Sequence, residues 1–234
     1  MDDLELPESV LKALTQQLHK KIPNSELSFT TLPHCPNISL WLLDANYPQW
    51  RLTHEQAADL MDKPPFWSFC WASGQVLAAQ LLQNPQWVKG KSLLDFGAGS
   101  GVVAIAAKMA GADEVWVCDQ DPNALLAAKA NALANGVALN YCSDLENSPK
   151  TQVITVADVF YDRDNLPLLT YMQEHFSEIL MADCRLKGEP LPGLTIIDYH
   201  RSHTVPDLSE SDEFNNVYVY RSQPLEQSLE DAPS

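Results

Sequence analysis

No stretch of eighteen consecutive apolar residues occurs in this 234-residue chain, so nothing in it has the length and hydrophobicity of a membrane-spanning helix. Its first residues, Met1, Asp2 and Asp3, carry neither the basic nor the apolar segment of a secretory leader. Basic residues are scarce: 15 Lys and Arg stand against 31 Asp and Glu, for a net charge of −16. A surface of that sign repels phosphate backbones and anionic lipid, which argues against nucleic-acid and membrane partners and favours a cationic partner at low salt. Solubility alone explains the acidity equally well. The expectation is a soluble, cytoplasmic monomer. No Cys-x-x-Cys pair exists, and Cys35, Cys70, Cys118, Cys142 and Cys184 read as buried thiols rather than a disulfide frame. His200 and His203 lie near Asp198 without further ligands at metal-binding spacing, so no metal is expected. Glycine is sparse as well, nine in all, which makes a cluster of three the more conspicuous.

That cluster lies in Ser92–Asp119. Leu93 and Leu94 end a short apolar strand, and Gly97, Gly99 and Gly101 follow at alternate positions. A helix-period run (Val102, Ile105, Ala106, Met109) stops at Gly111, and a second apolar run, Val115 to Cys118, closes on Asp119. This is strand, glycine turn, helix, strand. A turn without Cβ atoms lets a ligand approach the backbone, and the amides opening the next helix point at it. An acidic residue closing the second strand suits the two hydroxyls of a ribose, so the stretch reads as a nucleoside-cofactor site. A dinucleotide fingerprint would place its third glycine at Val102, and Asp95 would repel a pyrophosphate but suit an ammonium or sulfonium charge. The pattern resembles the first motif of the class I, seven-stranded S-adenosylmethionine-dependent methyltransferases. That resemblance implies S-adenosylmethionine as cofactor, with Asp95 at its methionyl end and Asp119 at its ribose. A glycine-rich turn that binds nothing is the alternative.

The pattern predicts one α/β domain of Rossmann-like type, a mostly parallel seven-stranded sheet with helices on both faces, over 64–222. An accessory segment on the substrate side (1–63) precedes it, and a disordered polar tail (223–234) follows. Within the first segment we expect a helix over 8–21, one or two strands or a hairpin over 27–50, and a short helix over 53–61 capped by Thr53. Four aromatics crowd Phe66-Trp-Ser-Phe-Cys-Trp71 ahead of a helix reaching Asn84-Pro85. Packing in the core is the plain reading of most of them. Asp121-Pro122 opens a helix as N-cap and first residue, and the helix runs to Gly136. Strands are expected over 137–142, 152–157 and 178–182, with a helix over 166–176 between the last two. The crossover at 186–194 is too short for a helix. Closing strands are expected around 199–204 and 216–221, with the acidic loop 207–213 between them on the cofactor side.

The aromatic block with Trp71-x-x-Gly-Gln75, together with Asp158-x-x-Tyr161 after the fourth strand, is similar to the family-16 protein-lysine methyltransferases. The string Ala157-Asp-Val-Phe-Tyr-Asp162 is closest to the branch that modifies the electron-transfer-flavoprotein β subunit and its bacterial relatives. The resemblance implies catalytic roles for Asp158 and Tyr161. It implies cofactor contacts from Trp67, Asp95, Gly97, Ala98, Gly99, Gly101, Asp119, Gln120, Asp144 and Ala157, and a protein substrate with an accessible lysine. Asp158 read from its place alone is a helix cap after a strand. Asp183-Cys-Arg185 lacks the proline of the family's Asp-Pro-x-Arg, which leaves that loop without a borrowed role. A small-molecule N- or O-methyltransferase and a non-catalytic cofactor-binding module use the same core and stay open.

Overall fold

The computed structural model describes residues 8–48, 53, 64–160, 163–208 and 210–222. The expected helix over 53–61, the tail 223–234 and Tyr161 lie outside them, Thr53 excepted. Helix α1 (Glu8–Lys21) buries Leu14 and Leu18 on one face, as the spacing predicts. It leads into an antiparallel hairpin of β1 (Leu27–Thr31) and β2 (Ser39–Leu43), with Leu27 opposite Leu43 and Thr31 opposite Ser39. A 3-10 turn at Phe66–Ser68 then introduces α2 (Ala72–Gln83).

The rest of the chain alternates strand and helix: β3 (Ser92–Phe96), α3 (Val102–Met109), β4 (Glu114–Cys118), α4 (Pro122–Ala134), β5 (Asn140–Cys142), β6 (Val153–Ala157), α5 (Leu166–His175), β7 (Glu178–Asp183), β8 (Leu194–Arg201) and β9 (Asn216–Ser222). The seven strands β3 to β9 form one sheet in the order β5-β4-β3-β6-β7-β9-β8. Neighbours from β5 to β7 are parallel, while β9 runs antiparallel to both β7 and β8, so β8 points the same way as the parallel strands. The central strands are apolar without alternation because both faces are covered. Leu93, Val153, Leu180 and Ala182 join a cluster with α2, α3 and the hairpin, and Leu94, Ile154, Val156 and Met181 join one with α5. Each fully buried Leu, Ile or Val contributes about 1.5–3 kcal/mol. No helix among the described residues is long and apolar enough to cross a membrane.

The N-terminal layer shares this packing. Leu32, Ile38, Leu40 and Leu42 belong to the first cluster. Leu14, Leu18, Ile22, Leu43, Trp67 and Phe69 pack on Ala124, Ala127 and Ala130 of α4, whose Ala128 and Ala132 belong to the first cluster. A helix buried on two sides needs small side chains, which accounts for its alanine content.

Two strands differ from expectation. β5 spans three residues rather than six, because Gly136 closes α4 in a left-handed turn and the Val137 amide bonds back to the Ala132 carbonyl. The first closing strand already begins at Leu194, paired with Ser222, and ends at Arg201, since Cys70 and Val205 exchange backbone hydrogen bonds at 2.7 and 2.8 Å and draw the chain away from β9.

Candidate active site

The sheet order reverses at β3: the chain passes to β4 and β5 on one side and later returns to β6 on the other. A crevice opens beyond the carboxyl ends of the strands at such a point. The glycine turn closes β3 there, and Asp158 closes β6. Gly97, Gly99 and Gly101 all have positive φ, +66°, +51° and +81°. Their surroundings differ. A Cβ on Gly97 would lie 2.7 Å from Val159 Cγ2 and one on Gly101 2.8 Å from Ala128 Cβ, whereas at Gly99 nothing is nearer than the Phe66 carbonyl at 3.9 Å. A side chain at Gly97 or Gly101 would collide with its neighbour, whereas Gly99 leaves its Cβ direction open.

Asp119, at the end of β4, accepts the Gly99 amide on Oδ2 at 2.9 Å and the Asp121 amide on Oδ1 at 3.0 Å. Burial pushes its carboxyl above the ordinary range. Asp121 accepts the Asn123 amide at 2.8 Å and caps α4, the role its Asp-Pro context predicts. Asp95 departs from expectation. Its carboxylate is enclosed, accepting the Ala104 amide of α3 at 3.1 Å and the Thr155 hydroxyl at 2.8 Å. It fastens α3 to β6. Burial pushes this carboxyl up to about 7. Ala98 and Ala157 are partly exposed, while Gln120 and Asp144 are exposed. Asp144 accepts the Asn147 amide at 2.8 Å and closes its own turn.

Asp158 holds φ at +52°, a conformation that Asp tolerates better than most residues and that costs about 1–3 kcal/mol. The environment compensates. Ser73 donates its hydroxyl to Oδ1 at 2.6 Å and its amide to Oδ2 at 3.2 Å, and the Cys184 thiol donates to Oδ1 at 3.3 Å. Because Ser73 lies in the first turn of α2, whose N-cap Trp71 makes no side-chain cap bond, Asp158 sits at the positive end of that helix. Cap and crevice carboxylate are thus one residue. Burial pushes its carboxyl up, opposed by the bonds from Ser73 and Cys184. Asp183 is raised to about 6, by burial and then by the Asp158 charge, while its Oδ1 accepts the amides of Arg185 and Leu186.

Trp67 departs from the expected cofactor contact: it is 2% exposed and packed with Leu14, Leu18 and the α4 alanines, which encloses its ring. Its neighbours stand at the crevice instead. Phe66 is 42% exposed, its ring 5.6 Å from that of Trp71, and the Trp71 indole donates to the Phe66 carbonyl, the atom nearest Gly99.

The acidic loop emerges on the same side of the sheet, and part of its charge is met by its own chain. Arg185 pairs with Glu210 at 2.9 Å and Lys187 with Glu213 at 2.6 Å. Asp198 and His200 pair at 2.9 Å beside Gln80, and among the described residues no group of His, Cys, Asp and Glu is arranged to hold a metal.

Ser73 and Cys184 escaped sequence reasoning. Ser73 lies 85 positions from Asp158, and a serine near a helix start reads as nothing more than a local cap. Cys184 belongs to a loop whose missing proline removed the motif that would have marked it.

A family model described as ribosomal protein L11 methyltransferase (PrmA) matches residues 76–163. The electron transfer flavoprotein beta subunit lysine methyltransferase of Mus musculus is 39% identical over 160 residues, covering 63% of this chain and 60% of that protein. Its Caenorhabditis elegans homolog is 31% identical over 171 residues, covering 63% of this chain and 69% of that protein. The chain spans 50% to 60% of the length of the mouse, rat and human relatives. TrmN from Thermus thermophilus superposes with a TM-score of 0.50 at 20% identity, over 64% of this chain and 48% of that one, a likeness of fold alone.

Proposed function

Because the chain belongs to the electron transfer flavoprotein β subunit lysine methyltransferase family, we propose that it moves a methyl group from S-adenosylmethionine to a lysine side chain of a protein. The observation that carries this reading is Asp158, a strained and half-buried carboxylate held across the crevice from the glycine turn. When bound, S-adenosylmethionine supplies an electrophilic methyl group on a sulfonium. The residues fit such a ligand: Gly99 leaves its Cβ direction open, Asp119 stands at the ribose position, and carboxyls raised by burial are what a cationic ligand would relieve. Gly97, Ala98, Gly101, Gln120, Asp144 and Ala157 complete the contacts proposed for it.

An in-line displacement asks the protein mainly to hold the nucleophile and exclude water. A lysine amine, ordinarily near 10.4, must first lose a proton. A carboxylate alone would oppose that loss, whereas burial promotes it. Asp158 therefore acts as a positioner: it hydrogen-bonds the incoming nitrogen and hands its proton toward water. Phe66 and Trp71 supply an aromatic wall against which the ammonium enters, and Tyr161 follows from the family's Asp-x-x-Tyr pattern. The net charge of −16 supports a basic protein partner over nucleic acid or membrane, and the cytoplasm is the compartment proposed for that encounter.

The relatives' names make the electron transfer flavoprotein β subunit the first acceptor to test. Labelled S-adenosylmethionine is incubated with that subunit and with lysate, using wild type and Asp158→Asn. A labelled protein band, slowed about a hundredfold or more in the variant while S-adenosylhomocysteine affinity stays within about threefold, is expected. Label confined to small molecules would reject the protein acceptor, and absence of S-adenosylhomocysteine binding would reject the donor.

A further inference from the structure

The Asn131 side chain, fully buried on α4, touches two parts of the molecule that are far apart in sequence. Its Nδ2 donates to the Ser100 carbonyl at 2.9 Å, inside the glycine turn, and its Oδ1 accepts the Trp41 amide at 2.7 Å, on the outer edge of β2. Those partners leave no choice of amide orientation, since one only accepts and the other only donates. One helical turn later Asn135 repeats the docking, donating to the Ser39 carbonyl at 2.7 Å and accepting the Ser39 amide at 3.2 Å. The spacing matches, for four helical residues rise about 6 Å and two strand residues about 6.6 Å. Three backbone groups on an edge that would otherwise need a third strand are met by two asparagines. Three residues before Asn131, Ala128 fills the Cβ direction of Gly101, so α4 holds the turn at both Ser100 and Gly101.

We propose that Asn131 is a positioning residue for the methyl donor, fixing the Ser100–Gly101 peptide from within and tying it to β2, so that hairpin docking and occupancy of the glycine turn are coupled. The proposal rests on the donor reading above. It deepens that reading by giving residues 27–43 an effect on the donor without contact. Coupling of this kind is reciprocal: a docked hairpin favours the ligand, and the ligand must favour the docked hairpin.

Amide hydrogen exchange of the peptide covering 39–43 is measured with and without S-adenosylhomocysteine, alongside calorimetry. In wild type the ligand should slow exchange at Trp41 by about threefold or more. Asn131→Asp keeps an acceptor for Trp41 but sets an oxygen against the Ser100 carbonyl. It should lose that slowing and raise Kd about tenfold, with kcat at saturating donor within about twofold of wild type. Asn135→Ala, which loosens the hairpin without touching Ser100, should raise Kd about threefold and keeps the test decisive if the first variant does not fold. Wild-type exchange indifferent to the ligand, or unaltered affinity in the variants, overturns the coupling while leaving the donor reading intact. Wild type that gives no heat with S-adenosylhomocysteine overturns both.

Discussion

Asp158 combines a left-handed backbone with a half-buried carboxylate, and Ser73 is what reconciles them. Removing the hydroxyl in Ser73→Ala should cost about 1–2 kcal/mol in urea titrations. The lost bond had favoured the ionised form, so the Asp158 carboxyl should rise further and the acid limb of the turnover profile should move to higher pH. An unchanged profile would show that Asp158 is not the group titrating. The glycines separate in the same way. Gly101→Ala adds a 2.8 Å collision to its positive φ and should destabilise by about 2–4 kcal/mol. Gly99→Ala meets open space, so its stability loss should stay near about 1–2 kcal/mol while S-adenosylhomocysteine affinity, read by calorimetry, falls about tenfold or more. At this scale the sequence marked Asp158, Asp119 and the glycine triplet by position in a local motif. It could not separate Trp67 from Phe66 and Trp71, because which ring of a dense aromatic block turns inward depends on α1 and α4.

Among the elements, those with local stop and start signals were legible. Glu8–Lys21 ends just ahead of Pro23, Pro122–Ala134 begins after Asp121 and ends in Gly136, and Leu166–His175 carries proline in its first turn. Because Asp121 caps α4 rather than meeting a ligand, Asp121→Ala should lower stability by about 1 kcal/mol and leave S-adenosylhomocysteine affinity unchanged in calorimetry. Asp119→Ala should lower that affinity as well as stability, because the Gly99 and Asp121 amides lose their acceptor, and equal affinity losses in the two variants would break the distinction between cap and ligand. The less legible elements are those whose ends are set from elsewhere. β5 is shortened by the turn that closes α4, and β8 stops where Val205 pairs with Cys70. The docking of β2 on Asn131 and Asn135 was equally hidden, since asparagines within a helix carry no local signal of a strand lying alongside.

Across the whole molecule, buried carboxylates at the carboxyl edge of the sheet set the response to pH. Asp95 stands at about 7 when folded, against about 3.9 in an unfolded chain. Between those values the folded protein holds a proton that the unfolded chain has released. The associated stability is complete below about pH 4 and lost as pH rises through about 7. Asp183, at about 6, and the raised Asp119 and Asp158 act in the same direction. The urea midpoint of the ligand-free protein should therefore fall from about pH 5 to about pH 7.5, and Asp95→Asn should flatten that slope. A midpoint that rises over this range in wild type would contradict the burial of these groups.

Alone, the sequence determined the strand–turn–helix order, the helix caps, the run of both-face apolar strands and the two ends of the crevice, since each rests on residues within one or two turns of chain. Tertiary structure decided what those residues touch. It folded Asp95 inward, set Asp158 at the start of α2, buried Trp67 and tied the hairpin to the glycine turn, because contacts between segments 60 to 90 residues apart depend on how layers stack. Chain periodicity records which face is apolar and is silent about what that face will meet.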